Sequence, residues 1–318
     1  MMNFNKNNVV PLSMVLTVFN DSESIIPFLE NIEGQTLVPS EVLIVDGGST
    51  DKTSELISNY RSDSRLNIVL VSDGLRRNIS QGLNDGIKRA SELFILIVGT
   101  GNLYESDFIS EMWKAKTRSE CQIFYSSVLG LEGSKFASTF NQYFLNGNRC
   151  VDWEPSNHGV LIAKNVFETY GLFWERFFYA GEDSEFFNRV IFSGESCEYV
   201  ATAILHWETP INWQEFNKKM KVNAIADLQI HPLKSIVQRS LWPFVGVFGV
   251  FLLSSFYLLF LCAPFFLVVT LMIKKKTFNV VAILLGLSSK FILPFHYFSQ
   301  RKFGLKRYKV TNSEKLRL

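Results

Sequence analysis

The first hundred residues alternate short apolar runs with segments of helical periodicity. Four runs rich in Val, Ile and Leu occupy residues 12–19, 41–45, 67–71 and 94–98. Between these runs, apolar residues recur at the spacing of amphipathic helices. Strands that alternate with helices imply a mostly parallel sheet joined by right-handed crossovers. The sequence therefore predicts an α/β fold for this part of the chain. Residues 103–215 are less regular, and we expect helices and an antiparallel extension of the sheet there.

Polar residues cluster where three of these strands end, at positions 20–22, 46–51 and 99–102. Ligands bind at the carboxyl ends of parallel strands, so we expect the three clusters to line one crevice. In the second cluster, two glycines allow a close approach of the backbone to a ligand, and Asp46 can accept a hydrogen bond from a nucleobase or a ribose. An ordinary strand–turn–helix connection, capped by Asp51, is the alternative.

Charge is distributed unevenly along the chain. Residues 1–215 carry 16 Lys and Arg against 28 Asp and Glu, whereas residues 216–318 carry 16 against 2. This shift marks a domain boundary. The sequence predicts an acidic α/β domain over residues 1–215, a basic amphipathic linker or interfacial helix over residues 216–240 and a membrane region with a basic tail over residues 241–318. Because the positive charges flank apolar runs, they favour anionic lipids rather than nucleic acid as the partner.

Two apolar runs define the predicted membrane region. Residues 241–273 include no charged side chain, and residues 280–298 form a second, weaker run. A membrane-spanning helix needs about 20 apolar residues, so the first run is long enough to cross a bilayer. We favour two spans with both ends in the cytoplasm, since most flanking Lys and Arg then lie inside. Residues 213–239 are expected to form an amphipathic helix on the bilayer surface, with a solvated linker as the alternative.

Five segments occur in an order that resembles the inverting family 2 glycosyltransferases: LTVFN, VDGGSTDKT, GLNDGIKRASELFILIV, AGEDSEFFNRV and LHWE. The chain looks most similar to membrane-anchored members of the succinoglycan type, which extend lipid-linked exopolysaccharide repeats. The resemblance covers nearly the whole chain. It implies a GT-A fold, a nucleotide-sugar donor and a lipid-linked saccharide acceptor. It also implies a bacterial plasma membrane location, and the absence of an apolar signal peptide places the catalytic domain in the cytoplasm.

The resemblance assigns roles in donor binding to particular residues. Thr17, Phe19 and Asp46 would hold the nucleoside, and Asn84 lies in the helix that would close over it. His206 matches a family histidine that approaches the diphosphate or a metal ion. A hydrogen-bonded histidine without a role in the reaction is the alternative for His206.

The resemblance also assigns the catalytic base. Asp183 would deprotonate the acceptor hydroxyl as it attacks the anomeric carbon, and Glu182 would orient the base or the acceptor. An acidic helix start, stabilised by the helix dipole, is the alternative for this pair. Trp153 and Trp207 would stack on a sugar, although packing in the core is the more common role of tryptophan.

The family normally carries an Asp-x-Asp motif after the fourth strand, and its carboxylates bind Mg²⁺ or Mn²⁺. The metal ion neutralises charge on the leaving phosphate. Here the strand is followed by residues 99–102, Gly-Thr-Gly-Asn, which include no carboxylate. One hypothesis is a metal-independent enzyme, in which the Gly99 and Gly101 amides, with Arg76 or Arg77, contact the phosphates.

Other hypotheses remain open at this stage. In the second hypothesis, a metal ion is held by other groups, such as Glu105, Asp107 or His206. Alternatively, the chain is a catalytically degenerate member that binds a sugar, a lipid or a partner protein at the membrane. A third alternative, a transferase that charges polyprenyl phosphate directly, fits a similar two-span architecture.

Overall fold

The computed structural model describes residues 8–131, 133–145, 155–177, 180–230 and 271. The first part alternates strands and helices in the order β1 (Val9–Val18), α1 (Ile25–Glu33), β2 (Val38–Asp46), α2 (Thr53–Asp63), β3 (Ile68–Val71), α3 (Ile79–Arg89) and β4 (Phe94–Val98). The second part comprises β5 (Asn102–Tyr104), α4 (Phe108–Arg118), β6 (Ile123–Gly130), α5 (Lys135–Phe144), β7 (Gly159–Ala163), α6 (Lys164–Tyr170), α7 (Glu182–Phe192), β8 (Cys197–Trp207) and α8 (Trp213–Ile230).

The strands form one mixed sheet in the order β3-β2-β1-β4-β7-β6-β8-β5. Strand β1 is parallel to β2 and β4, and β2 is parallel to β3. The carboxyl ends of these four strands therefore meet at one edge, as the sequence predicts. Strand β7 runs antiparallel to β4, with Gly159 opposite Val98. The antiparallel extension is thus also confirmed, and it brings the residues before Gly159 next to the end of β4.

Helices cover both faces of the sheet because its strands are apolar on both sides. In β1, Met14 and Leu16 face a core that includes Phe28 of α1, whereas Val15 faces a core that includes Phe186 of α7. All five side chains are at least 98% buried. Burying a side chain of this size contributes about 1.5–3 kcal/mol, so the two cores fix the sheet between its helices.

Helix α8 crosses the domain boundary predicted between residues 215 and 216. Its apolar residues Phe216, Met220 and Ala224 are buried against the domain. The Phe216 ring packs at 6.1 Å from the Phe136 ring and at 6.3 Å from the Phe140 ring. These side chains belong to the core of the domain, so the apolar face of α8 packs on its own domain; the position of this helix on a bilayer surface stays a prediction. The remainder of that stretch, residues 231–239, lies outside the described residues.

The two apolar runs, residues 241–273 and 280–298, lie outside the described residues except for position 271. Among the helices that the structure describes, none is long and apolar enough to cross a membrane. The membrane region and its two spans therefore stay predictions.

Helix α3 lies close to the sheet because glycines face it. A Cβ atom on Gly86 would lie 2.5 Å from Cγ1 of Val15. We expect Gly86→Ala to lower the free energy of unfolding by about 1–3 kcal/mol through overpacking, although alanine favours helices. Chemical denaturation measures this change. The control Lys88→Ala, on the exposed side of α3, should stay within about 0.5 kcal/mol of the wild type. Equal stability of the two variants would contradict the close packing.

Candidate active site

The three polar clusters at the strand ends are joined by hydrogen bonds. The Asn20 amide donates to Oγ of Ser49 at 2.9 Å, and the Thr50 amide donates to Oδ1 of Asn20 at 2.8 Å. The Thr100 hydroxyl donates to the Asp21 carboxylate. The ends of β1, β2 and β4 are therefore adjacent, as the sequence predicts, whereas the ligand crevice that they would line stays a prediction.

Asp46 is held as a carboxylate at the end of β2. Its Oδ1 accepts from the amide and the hydroxyl of Ser49 at 2.9 and 2.6 Å, and its Oδ2 accepts from the hydroxyls of Ser54 and Ser72 at 2.6 and 2.9 Å. Burial alone would raise the pKa of Asp46, but these hydrogen bonds outweigh it and keep the pKa below its ordinary value. Each oxygen already accepts two hydrogen bonds, so a nucleobase donor would have to displace a serine hydroxyl.

Phe19 directly follows Val18, which pairs with Asp46 in the β1–β2 register. Its ring is exposed, and Arg76 stacks on it. The Arg76 guanidinium carbon is 3.4 Å from the centroid of the Phe19 ring, a cation–π contact. Arg77 instead pairs with Asp73 at 2.6 Å and with Asp85 at 2.9 Å. Because two carboxylates neutralise Arg77, the hypothesis that it contacts the donor phosphates finds no support in this geometry.

Two other residues of the predicted nucleoside site pack on α3 or belong to it. The Thr17 methyl group fills the space beside Gly82, where a Cβ atom would lie 2.4 Å from it. Asn84 is buried; its Nδ2 donates to the Phe173 carbonyl at 2.9 Å and to the Glu175 carboxylate at 3.0 Å, and its Oδ1 accepts from the Phe173 amide at 3.1 Å. Asn84 therefore holds the loop that precedes α7, and the roles of Asn84 and Thr17 in nucleoside binding stay predictions.

The Glu182-Asp183 pair forms the first residues of α7. The preceding Gly181 has φ +101°, which favours glycine, and a Cβ atom there would lie 3.0 Å from side-chain atoms of Ala226 and Ile230 in α8. Asn157 contacts both acids: its Nδ2 donates to Oε1 of Glu182 at 3.2 Å, and its backbone amide donates to the Asp183 carboxylate. Gly181 thus packs on α8, and Asn157, two positions before β7, holds the acidic pair.

Burial sets the protonation of this pair. Burial, together with the neighbouring Asp183 charge, raises the pKa of Glu182 to about 7. Burial also raises the pKa of Asp183, and hydrogen bonds from Ser184 and Asn157 only partly offset it. A carboxylate with a raised pKa accepts a proton more readily, as a general base must.

A buried ion pair anchors α7. The Arg189 guanidinium forms two hydrogen bonds of 2.9 Å with the Glu185 carboxylate and donates to the Leu172 carbonyl at 3.0 Å. It also donates to the Tyr170 carbonyl. The helix that carries the acidic pair is therefore tied to the end of α6 and to the loop that Asn84 holds.

Residues 99–102 occupy the position of the metal-binding motif. The Gly99 amide donates to the Tyr104 hydroxyl at 3.0 Å, and that hydroxyl donates to the His158 carbonyl at 2.7 Å. Asn102 is 6% exposed, and its Nδ2 lies 3.3 Å from Nδ1 of His158. The Oδ1 of Asn102 is buried without a hydrogen-bond partner. The Gly99 amide is thus occupied within the protein, whereas the role of Gly101 stays a prediction.

The residues at this position do not fit a divalent metal site. Mg²⁺ and Mn²⁺ prefer carboxylate oxygens, and residues 99–102 offer none. In the part of the chain that the structure describes, no three His, Cys, Asp or Glu residues are grouped to hold a metal ion. His206 and Glu105 do approach each other, with 3.2 Å between Nε2 and Oε1, but they form only a pair.

The strand register separates His206 from this segment. Strand β8 pairs with β5 so that Asn102 lies opposite Trp207 and Leu103 lies opposite His206. Since side chains alternate along a strand, Trp207 points to the same face as Asn102, and His206 points to the other. The register thus places His206 on the other face of the sheet from Asn102, and its approach to the diphosphate or to a metal ion stays a prediction. The histidine beside Asn102 is His158.

Trp207 forms the floor of a small polar cluster. It is 8% exposed; its ring lies 5.4 Å from the His158 ring, and Nζ of Lys219 in α8 lies 3.5 Å from its centroid. His158 and Lys219 thus cover parts of the Trp207 ring, and its stacking on a sugar stays a prediction. Burial and the Lys219 charge lower the pKa of His158 to about 4, so its ring is neutral at pH 7. Trp153, the other predicted stacking residue, lies outside the described residues.

The sequence of residues 13–177, just over half of the chain, matches the family described as Glycosyl transferase family 2, and the chain belongs to this family. It is 31% identical over 100 residues to the dolichyl N-acetyl-alpha-D-glucosaminyl phosphate 3-beta-D-2,3-diacetamido-2,3-dideoxy-beta-D-glucuronosyltransferase of Methanococcus voltae, covering 31% of each chain. It is 27% identical over 103 residues to the poly-beta-1,6-N-acetyl-D-glucosamine synthase of Staphylococcus aureus, covering 32% of this chain and 24% of the synthase. The chain thus spans less than a third of these relatives.

Solved structures show the same fold. The mannosyltransferase PcManGT from Pyrobaculum calidifontis, in complex with GDP-Man and Mn²⁺, superimposes with a TM-score of 0.64 at 14% identity, over 92% of this chain and 88% of that one. Residues 1–349 of Staphylococcus aureus TarS, in complex with UDP-GlcNAc, superimpose with a TM-score of 0.51 at 14% identity, over 95% of each chain. The mixed sheet between helices is therefore a Rossmann-like domain of the GT-A type.

The raised pKa of Glu182 predicts a pH-dependent stability. The folded state disfavours ionised Glu182, so the wild type loses stability as the pH rises from 4.5 to about 7. We expect Glu182→Gln to raise the free energy of unfolding by roughly 2–3 kcal/mol at pH 8 and to have little effect at pH 4. Urea denaturation at both pH values measures the difference. The exposed control Glu55→Gln should show no such trend, and parallel wild-type and Glu182→Gln curves would contradict the buried charge.

Proposed function

We propose that this chain is an inverting glycosyltransferase that moves a sugar from a nucleotide-sugar donor to a lipid-linked saccharide acceptor. The proposed setting is bacterial surface polysaccharide synthesis, with the active site at the cytoplasmic face of the plasma membrane. The observation that carries this proposal is the fixed acidic pair Glu182-Asp183, which has a raised proton affinity and is built onto a family 2 fold. The membrane setting rests on the apolar runs and the basic charge of residues 216–318.

The proposed reaction is a single displacement. The Asp183 carboxylate takes the proton of the acceptor hydroxyl while the oxygen of that hydroxyl forms a bond to the anomeric carbon. The bond from this carbon to the phosphate oxygen breaks on the opposite side, and the nucleoside diphosphate leaves. Glu182, next to the base and bonded to Asn157, orients the base or the acceptor. Asp46 and Phe19 line the nucleoside end of the crevice.

A second candidate is a catalytically degenerate binding protein with the same fold. The observation that favours it is residues 99–102, where the family has metal-binding carboxylates. The acidic pair argues for retained catalysis. Burying two neighbouring carboxylates costs stability, and proteins retain such costly groups mainly at functional sites.

We expect Asp183→Asn to lower transfer by at least about a hundredfold, because a general base contributes roughly 10²–10⁴ to the rate. Donor binding should stay within a few-fold of the wild type. Single-turnover transfer to a lipid-linked acceptor and calorimetric donor binding measure the two quantities separately. The matched control is Asp107→Asn, which removes a carboxylate at the start of α4. Normal turnover by Asp183→Asn would exclude Asp183 as the base.

Nucleotide binding by the full-length protein separates the enzyme from the degenerate protein. We expect one of UDP or GDP to bind in EDTA and Mn²⁺ to change its affinity little, since residues 99–102 fit no metal ion. Isothermal titration calorimetry with each nucleotide, in EDTA and in Mn²⁺, is the measurement. Failure of every common nucleoside diphosphate to bind under both conditions would reject the transferase.

A further inference from the structure

We propose that Lys219 provides the positive charge that stabilises the donor diphosphate, in the place that a divalent metal ion takes in the usual family 2 site. This inference rests on the proposed function, and it adds the group whose positive charge stabilises the leaving nucleoside diphosphate. It follows from the position of Lys219, from its surroundings and from the neutral character of residues 99–102.

The position of Lys219 follows from two contacts. Its Nζ lies 3.5 Å from the centroid of the Trp207 ring, and Trp207 lies opposite Asn102 in the β5–β8 register. Asn102 is the last residue of the segment that replaces the metal-binding motif. Helix α8 therefore places an ammonium group on the side of the sheet where Asn102 and His158 meet, beyond the end of β4.

Lys219 has a charge that the described residues do not neutralise. It forms no ion pair among them, whereas Arg77 is paired with both Asp73 and Asp85. Burial lowers the pKa of Lys219 to about 8, so the amine is still mostly protonated at pH 7. A half-buried cation that has lost part of its hydration gains more from an anion than an exposed lysine does. Lys218 and Lys221, on the same helix, are exposed.

The charge balance of the segment agrees with this role. Carboxylates that bind a metal ion would repel a diphosphate once the ion is absent, and here they are replaced by Gly99, Gly101 and Asn102. His158 beside them is neutral at pH 7, so it neither attracts nor repels strongly. The carboxylate of Glu208 comes nearest to Gly101, at 3.7 Å from the position of a Cβ atom. The motif carboxylates are thus absent, and the groups nearest a diphosphate at this segment are the Lys219 ammonium and, on the Gly101 side, the Glu208 carboxylate.

The test compares nucleoside diphosphates with nucleosides in EDTA. For full-length wild type and Lys219→Met, calorimetry gives the affinities for UDP and uridine and for GDP and guanosine. We expect Lys219→Met to weaken diphosphate binding about 10- to 100-fold, the range of a charge-assisted hydrogen bond, and to leave nucleoside binding unchanged. Lys219→Arg should retain most of the diphosphate affinity. Lys218→Met and Lys221→Met are the matched controls and should stay within about twofold.

A second measurement does not require a folded variant. In the wild type, the nucleoside diphosphate that binds should protect Lys219 from acetic anhydride, as read by mass spectrometry, and should leave Lys218 labelled as before. Unchanged diphosphate affinity in Lys219→Met, or tight binding only in Mn²⁺ without protection of Lys219, would overturn the inference while the proposed function stands. If the wild type binds no nucleoside diphosphate in either condition, the proposed function and the inference both fail.

Discussion

The antiparallel pairing of β7 with β4 is the constraint on which the candidate site depends. Four parallel strands alone would place Asp46 and residues 99–102 at one edge of the sheet, without the proposed catalytic base. Because Gly159 lies opposite Val98, Asn157 and His158 come to that same edge. Asn157 then bonds the acidic pair at the start of α7, and His158 lies beside Asn102. These two adjacent residues thus join the segment 99–102 to the acidic pair, the two parts of the proposed site.

The sequence predicts the first half of the fold well because the relevant signals are local. Apolar runs and helical spacing place β1 to β4 and α1 to α3 within a few residues of their observed bounds. The adjacency of the strand ends follows as well, since it needs only the rule that parallel strands end at one edge. Asp46, Glu182 and Asp183 are found because short motifs surround them, and those motifs remain recognisable at low overall identity.

The remaining site residues depend on register and packing, which single-sequence periodicity does not contain. Nothing local indicates that β7 runs antiparallel beside β4, so the polar residues Asn157 and His158 carry no signal beyond preceding a short apolar strand. His206 and Trp207 are adjacent in the chain, yet the alternation of β8 sends them to opposite faces. The apolar pattern of α8 is equally typical of a helix on a bilayer and of one that packs on its own domain. The burial of Phe216 and Met220 shows that the apolar face of α8 packs on its own domain.

Helix α8 also brings the last described turn of the chain close to the proposed base. Its last turn touches Gly181, immediately before the acidic pair, through Ala226 and Ile230. The last described turn of α8 therefore lies within one side chain of the residue that precedes the acidic pair. A ligand bound beside this turn would be held at high effective concentration next to the proposed base, with the distance set by helix packing instead of by the length of a tether.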